Sequence, residues 1–160
     1  MEKLHYSEEI AAPAHTVWAA MLDDTTYREW TGVFYEGSYY EGNWNLGSEI
    51  RFLGPTEEGQ PDGMVARVVE NRPDERISLE YIGQLVRGKL DTESDQAKRL
   101  IGAHENYSFS YDKERGVTSL TVDLDSSEEE YVEMFNDGWP KSLAKLKEIA
   151  EAKVAAEARP

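Results

Sequence analysis

The sequence predicts an α+β fold: a curved antiparallel sheet of about seven strands wrapped around one long C-terminal helix, with two short helices after the first strand. One observation is that residues 128–153 carry apolar side chains every three to five positions, as one face of a helix requires. Another is that the preceding chain alternates between β-forming segments and turn residues, and most of these turns are short enough to join antiparallel neighbours. At 160 residues, the whole chain, residues 1–160, is expected to form one domain.

The first elements are a strand and two helices. Alternation predicts the strand over residues 4–11, and Pro13 suits the opening turn of a helix. The polar residues 23–26 end that helix and can cap a second one, which passes through Trp30 and ends at Gly32.

Further β segments, separated by turn residues, make up the middle of the chain. The stretch 84–104 interrupts them, because it is too long for a hairpin and its residues 94–101 have helical composition. We therefore expect an excursion from the sheet there, with one short helix. The expected strands cover residues 33–40, 47–53, 63–70, 76–83, 105–111 and 117–124.

The terminal helix contains a proline. Ser127 and Glu130 form a capping box at its start, whereas Pro140 inside it lacks a backbone N–H, so the helix should bend or restart there. Two large aromatic residues, Phe135 and Trp139, come just before this position. A bent helix closes over a concave sheet incompletely, and the space left between them could hold a small molecule.

Composition excludes several classes of function. There are no cysteines, which excludes disulfides, thiolate metal sites and cysteine nucleophiles. A net charge of -15, from 32 acidic and 17 basic residues, repels nucleic acids and anionic membranes. The N-terminus has no signal-peptide pattern and no apolar run is as long as a membrane span, so we expect a cytoplasmic protein without stable membrane insertion.

Motifs for cofactor binding and for catalysis are missing from the sequence as well. His5, His15 and His104 are scattered without metal-ligand spacing. The glycines fall at turns rather than in a phosphate-binding loop before a helix, and no serine stands in a nucleophile-elbow setting. We therefore expect no metal, no cofactor and no catalytic residue.

The segment 105–111 carries the main candidate site. Period-two alternation places Glu105, Tyr107 and Phe109 on one face of this strand, and the aromatic rings mark that face as the inward one. Glu105 on such a face either lines a cavity that admits water, makes a structural hydrogen bond at the strand end, or is exposed. For the aromatic candidates, core packing is the alternative to a binding role. The candidate ligand-binding residues are Trp30, Phe52, Tyr81, Glu105, Tyr107, Phe109, Phe135 and Trp139.

Short sequence words carry a resemblance to a known family. They are Ala-Ala-Pro-Ala-His-Thr-Val-Trp at 11–18, Tyr-Arg-Glu-Trp-Thr-Gly at 27–32, Gly-Ser-Tyr at 37–39, Trp-Asn-Leu-Gly at 44–47, Glu-Asn-Tyr at 105–107, and Gly-Trp-Pro at 138–140 followed by Leu143 and Leu146. Over essentially the whole chain, these words and the element order resemble the Bet v 1-like superfamily, also called the START or SRPBCC helix-grip fold. Within it, the chain is similar to the branch of the C-terminal domain of activators of the Hsp90 ATPase.

The resemblance implies a helix-grip fold and leaves three functions open, because the superfamily includes lipid carriers, hormone receptors, polyketide cyclases and chaperone partners. The first is a non-catalytic module that holds a small hydrophobic or aromatic ligand between the sheet and the terminal helix. The second is an enzyme of the polyketide cyclase or dehydratase type, with Glu105 and Tyr81 or Tyr107 as acid and base. The third is a module that binds an Hsp90-type chaperone through its surface. The expected partners are accordingly a small hydrophobic molecule, a chaperone or, in a homodimer, a second copy of the chain.

Overall fold

Eight strands and four helices follow one another along the part of the chain that a computed structural model describes, residues 2–57, 59–126 and 129–158. The predicted order is confirmed: a strand, two short helices, a run of strands and a long terminal helix. The elements are β1 (Glu2–Ile10), α1 (Ala14–Leu22), α2 (Asp24–Gly32), β2 (Tyr39–Gly42), β3 (Glu49–Gly54), β4 (Asp62–Arg72), β5 (Arg76–Val86), β6 (Lys89–Asp91), α3 (Asp95–Leu100), β7 (His104–Asp112), β8 (Val117–Ser126) and α4 (Glu129–Glu157).

The strands form one antiparallel sheet in the order β1-β8-β7-β5-β4-β3-β2, with the short strand β6 paired to β5. This arrangement confirms the predicted α+β class. Strand β7 lies inside the sheet, where Glu105 is opposite Leu79 of β5 on one side and Leu124 of β8 on the other. Two register shifts in the pairing of β4 with β5 are of the kind that bend and twist a strand.

The hydrophobic core lies between one face of this sheet and the helices α1, α2 and α4. Fully buried side chains come from the strands, such as Ile77 and Leu79 of β5, and from the helices, such as Val17 of α1 and Leu143 and Leu146 of α4. Full burial of one such side chain stabilises the fold by about 1.5–3 kcal/mol. Because α4 contacts β1, β8, α1 and α2, the apolar stripe of the terminal helix is part of this core.

The predicted strand over residues 33–40 is wrong for its first six residues. Residues 33–38 form turns after α2, and the strand β2 is limited to Tyr39–Gly42. The backbone N–H groups of Phe34 and Tyr35 both donate to the carbonyl of Thr31, which prolongs the helical turn, and Gly37 adopts a φ of +87° that an extended strand does not allow. The aromatic residues within 33–38, whose composition is typical of a strand, therefore belong to a loop.

The stretch 84–104 contains a hairpin that the sequence did not predict. Strand β5 continues to Val86, turns at Arg87 and Gly88, and returns as β6. Both turn residues have positive φ, 53° and 77°, as in a two-residue type I′ turn. The predicted short helix is confirmed as α3, and the hydroxyl of Ser94 accepts a hydrogen bond from the N–H of Ala97 at its start.

The helix α4 runs through Pro140 without interruption, so the predicted restart there is wrong. The missing N–H of Pro140 removes one helical hydrogen bond, and the burial of Trp139 and Leu143 on either side holds the helix in one piece. The bend stays a prediction, and the capping box of Ser127 and Glu130 lies outside the described residues. No helix within the described ranges is long and apolar enough to cross a membrane.

Candidate functional site

A cavity of about 400 Å³ lies between the sheet, α2 and the N-terminal half of α4. Strands β3, β4, β5 and β7 supply its floor, and the loop of residues 33–38 contributes to its wall. Most of the lining is apolar, since aromatic rings and methionines make up the greater part of it. Its volume falls within the range of about 300–1,000 Å³ that small-molecule sites occupy.

Seven of the eight predicted site residues line this cavity, and their role in binding a ligand stays a prediction. The eighth, Phe109, does not line it: its ring packs against Trp18 of α1, with ring centroids 5.3 Å apart. Phe109 points to the same face of β7 as Tyr107, but α1 covers that end of the strand. The seven lining residues are Trp30, Phe52, Tyr81, Glu105, Tyr107, Phe135 and Trp139.

Two tyrosine hydroxyls donate hydrogen bonds to the carboxylate of Glu105. The hydroxyl of Tyr81 on β5 donates to Oε1 of Glu105 at 3.0 Å, and the hydroxyl of Tyr107 on β7 donates to Oε2. Alternation along β7 puts Tyr107 and Glu105 on one face, and the pairing of β7 with β5 brings Tyr81 beside them. Each carboxylate oxygen therefore has one protein donor and keeps a lone pair for a second.

Burial is the largest cause of the pKa shifts of Glu105 and of the tyrosines around it. Loss of water raises the pKa of Glu105 above its ordinary value of 4.5, although the hydrogen bonds from Tyr107 and Tyr81 act in the opposite direction. Burial, followed by the nearby charge of Glu105, also raises the pKa of Tyr81, of Tyr107 and of Tyr27 well above 10. The three phenols thus stay protonated at neutral pH. Glu105 is the member of the group that can gain or lose a proton.

Aromatic rings in mutual contact frame the cavity. Trp139 of α4 lies 5.8 Å from Trp30 and 6.2 Å from Tyr107, measured between ring centroids. Tyr27 lies 5.4 Å from Trp30 and 6.2 Å from Phe52 in the same way. The indole N–H of Trp30 donates to the carbonyl of Met21, which fixes its ring in the wall. These contacts hold the rings in place before any ligand arrives.

Two glycines position the loop of residues 33–38 at the edge of the cavity. A Cβ atom on Gly138 of α4 would lie 2.2 Å from the ring of Phe34, and one on Gly54 of β3 would lie 2.6 Å from the ring of Tyr35. Both rings therefore rest directly on backbone. The hydroxyl of Tyr35 also donates to the carbonyl of Pro55 at 3.0 Å. The loop is thus attached to α4 at one point and to the end of β3 at another.

The lining residues that the sequence did not predict include Tyr27, Phe34, Met64 and Met134. The glycine inside the helical pattern at 138 was the available signal for Phe34, because such a glycine often marks a close approach. Ser142 also lines the cavity; its side chain is 1% exposed, and its hydroxyl has no hydrogen-bond partner among the described residues.

The three histidines lie on three different elements, β1, α1 and β7. His5 pairs with Asp123 at 2.6 Å and His15 with Asp74 at 3.1 Å. Among the residues that the structure describes, no group of three or more histidines and acids is placed to hold a metal ion.

Comparison with known proteins places the chain in a family. The model of the family described as Activator of Hsp90 ATPase homolog 1-like protein matches residues 11–151. A comparison with curated proteins gave no match.

Solved structures with the same fold share little sequence with the chain. A protein from Nitrosomonas europaea is 14% identical, with 96% of each chain covered and a TM-score of 0.70. The Aha1 dimer from Colwellia psychrerythraea is 15% identical, with 94% of this chain and 97% of that one covered and a TM-score of 0.68. A protein in the dynemicin biosynthetic locus is 16% identical, with 94% of this chain and 48% of that one covered and a TM-score of 0.64. At these identities the likeness shows the fold alone.

Proposed function

The chain belongs to the family of activator of Hsp90 ATPase homolog 1-like proteins, and on that fold we propose that it binds a small, largely apolar molecule in the cavity between the sheet and α4. The observation that carries this proposal is a preformed cavity of about 400 Å³ walled by aromatic rings, with the bridged carboxylate of Glu105 inside it. Each Å² of apolar surface that the ligand and the wall remove from water favours binding by roughly 25 cal/mol. The polar group sets the orientation of the ligand.

Binding is tested directly with the purified protein. Native mass spectrometry detects any ligand retained from the expression host. A panel of fatty acids, sterols, flat aromatic molecules and apolar amines is then titrated while the tryptophan emission, to which Trp30 and Trp139 in the cavity wall contribute, and the melting temperature are followed, since a ligand that binds the folded state raises that temperature. If no member of the panel changes either quantity and no ligand is retained, the proposal is wrong.

A cavity-filling variant shows where a ligand binds. Met64 lines the cavity and is partly buried, so a tryptophan at this position occupies part of the space. Met64→Trp is expected to weaken binding at least tenfold, measured by calorimetry. Leu46→Trp is the matched control, because Leu46 is 66% exposed and is not among the lining residues. Equal affinities in the two variants would place the ligand elsewhere.

The alternative function is a polyketide cyclase or dehydratase activity, and the Tyr81, Glu105 and Tyr107 arrangement is the observation that favours it. A carboxyl group with a raised pKa beside two phenols can act as a general acid or base. Turnover of a cyclisable polyketide-like substrate that collapses in Glu105→Gln, while binding of the substrate persists, would support this activity. Binding without turnover supports the non-catalytic module.

Two partner hypotheses remain predictions for this chain. The family description names an activator of the Hsp90 ATPase, and one structural neighbour is a dimer. Stimulation of the Hsp90 ATPase tests the first partner, and light scattering of the purified protein tests the second. The cytoplasmic location likewise stays a prediction.

A further inference from the structure

We infer that the ligand of this cavity carries a protonated amine, seated against Glu105 and the neighbouring aromatic rings, and that ligands with a carboxylate are rejected. This inference rests on the proposed function, because it names the chemical class of the molecule that the same cavity takes.

The charged side chains of the cavity lining are all acidic. Among the described residues that line the cavity there are two acids, Glu105 and Asp62, and no lysine, arginine or histidine. A carboxylate ligand would bring a further negative charge into a place with no opposite charge to meet it, and such an unpaired charge is costly away from water. The net charge of -15 acts in the same direction, since it attracts cations and repels anions.

The carboxylate of Glu105 can accept more hydrogen bonds than the protein donates to it. Its two oxygens each accept one phenol hydrogen bond, from Tyr81 and from Tyr107, and each can accept another. The side chain is partly accessible because it borders the cavity, even though protein atoms surround it. An ammonium group has three N–H donors and a positive charge. It can therefore donate to the carboxylate lone pairs that the two tyrosines do not use, and it neutralises the negative charge.

Aromatic side chains form the cavity wall beside Glu105. Tyr107 follows it by two residues on the same face, Trp139 contacts Tyr107, and Trp30 contacts Trp139. The faces of tryptophan and tyrosine rings attract cations, and this attraction grows when the cation is removed from water. The raised pKa of Glu105 agrees with a buried carboxylate that lacks a positive partner in the free protein.

The test uses three probes that share one apolar body and differ in the head group: phenylbutylamine, phenylbutanol and phenylbutanoate. Their affinities for the full chain are measured by calorimetry at neutral pH. We expect the amine to bind about tenfold or more tightly than the alcohol, and the carboxylate to bind more weakly than either. An alcohol or carboxylate that binds as tightly as the amine overturns the inference and leaves the proposed function standing. If none of the three binds, the proposed function fails together with the inference.

Two variants test which carboxylate causes the preference for the amine. Glu105→Gln is expected to lower the affinity for the amine to that for the alcohol, while the affinity for the alcohol changes little. Asp62→Asn removes the other lining carboxylate, which is exposed and accepts a hydrogen bond from the N–H of Arg87, and is expected to keep the amine preference. An unchanged preference in Glu105→Gln overturns the inference. Should that variant fail to fold, the ranking of the three probes on the wild-type protein still decides.

Discussion

Protein atoms surround the carboxylate of Glu105 at the edge of the cavity, and its protonation should therefore be coupled to folding. Burial raises its pKa in the folded chain above 4.5, so the folded state binds the proton more tightly than the unfolded state does. The stability this proton supplies is fully present below the ordinary pKa and is lost as the pH rises through the pKa of the folded state. The titratable groups that face Glu105 are Tyr81, Tyr107 and Tyr27, whose raised pKa values keep them neutral in that range.

We accordingly predict that Glu105→Gln gains stability relative to the wild type as the pH rises from about 4.5. The measurement is the free energy of unfolding in urea for both proteins over a series of pH values. Glu133→Gln removes an exposed carboxylate from α4 and is the matched control. A difference between Glu105→Gln and wild type that does not change with pH would mean that Glu105 titrates alike in both states.

Ser142 is a second residue whose burial has a measurable cost. Its hydroxyl is buried and has no partner in the described part of the chain, and an unpaired buried hydroxyl costs about 1–3 kcal/mol. Because alanine also favours the helix, we predict that Ser142→Ala raises the free energy of unfolding by about 1 kcal/mol.

The control for this prediction is a buried hydroxyl that is paired. Thr118 is fully buried, and its hydroxyl donates to the carbonyl of Ala12 at 2.6 Å. Thr118→Val keeps the shape and should lower the free energy of unfolding by about 1 kcal/mol or more. If Ser142→Ala is destabilising instead, its hydroxyl has a partner that stabilises the folded protein.

Within a single strand or helix, periodicity correctly predicted which side chains face the cavity. The two-residue alternation of β7 identified Glu105 and Tyr107, and the helical stripe of α4 identified Phe135 and Trp139, because in both cases one element decides which way a side chain points. Phe109 shows the limit of that reasoning. It has the correct face, but whether a helix or a cavity covers it depends on where α1 packs.

The errors lie where tertiary contacts or turn geometry decide. Residues 33–38 look like a strand by composition, yet they are held as a loop by the packing of Phe34 on Gly138 and of Tyr35 on Gly54. These partners are distant in sequence, so the pattern of residues 33–38 by itself does not reveal them. The hairpin at Arg87 and Gly88 was missed because arginine rarely occupies a position with positive φ, and the turn carries no Asn-Gly or Asp-Gly signal.

The contact between Gly138 and Phe34 gives a prediction about α4. In Gly138→Ala, the new methyl group would lie 2.2 Å from the ring of Phe34, so the ring must move. We expect the free energy of unfolding to fall by about 1–3 kcal/mol, because the lost packing outweighs the gain of up to about 1 kcal/mol in helix propensity. A shift of Phe34 also changes the wall of the cavity, so ligand affinity should change with it.

A double-mutant cycle checks this explanation. Phe34→Leu leaves room for the new methyl group, so the cost of Gly138→Ala should shrink in its presence. Gly32→Ala is the matched control, since Gly32 ends α2 and a Cβ there meets nothing within 4 Å. Additive effects of the two substitutions at 138 and 34 would show that the cost arises from a contact other than Phe34.

At the scale of the whole molecule, the fold and the function are set by different residues. Solved structures that match this fold with TM-scores of 0.64 to 0.70 are only 14 to 16% identical to this chain, so many sequences can form the same sheet and terminal helix. The ligand class that we propose depends instead on a few side chains in the cavity, above all Glu105 and the rings around it. Membership of the family therefore fixes the architecture, and the chemistry of the lining has to be argued from this chain.

The net charge of the molecule gives the last prediction. Acidic residues outnumber basic ones by 32 to 17, and ion pairs such as Lys141 with Asp137 are exposed, so each contributes little. Screening should therefore relieve more repulsion than it removes attraction, and we expect the melting temperature to rise by a few degrees as NaCl is increased to about 0.3 M. The same series near pH 4.6, the isoelectric point, is the control, because the net charge vanishes there and the rise should vanish with it. A melting temperature that falls with salt at neutral pH would show that the surface charges are arranged favourably enough for their attractions to outweigh the excess of fifteen negative charges.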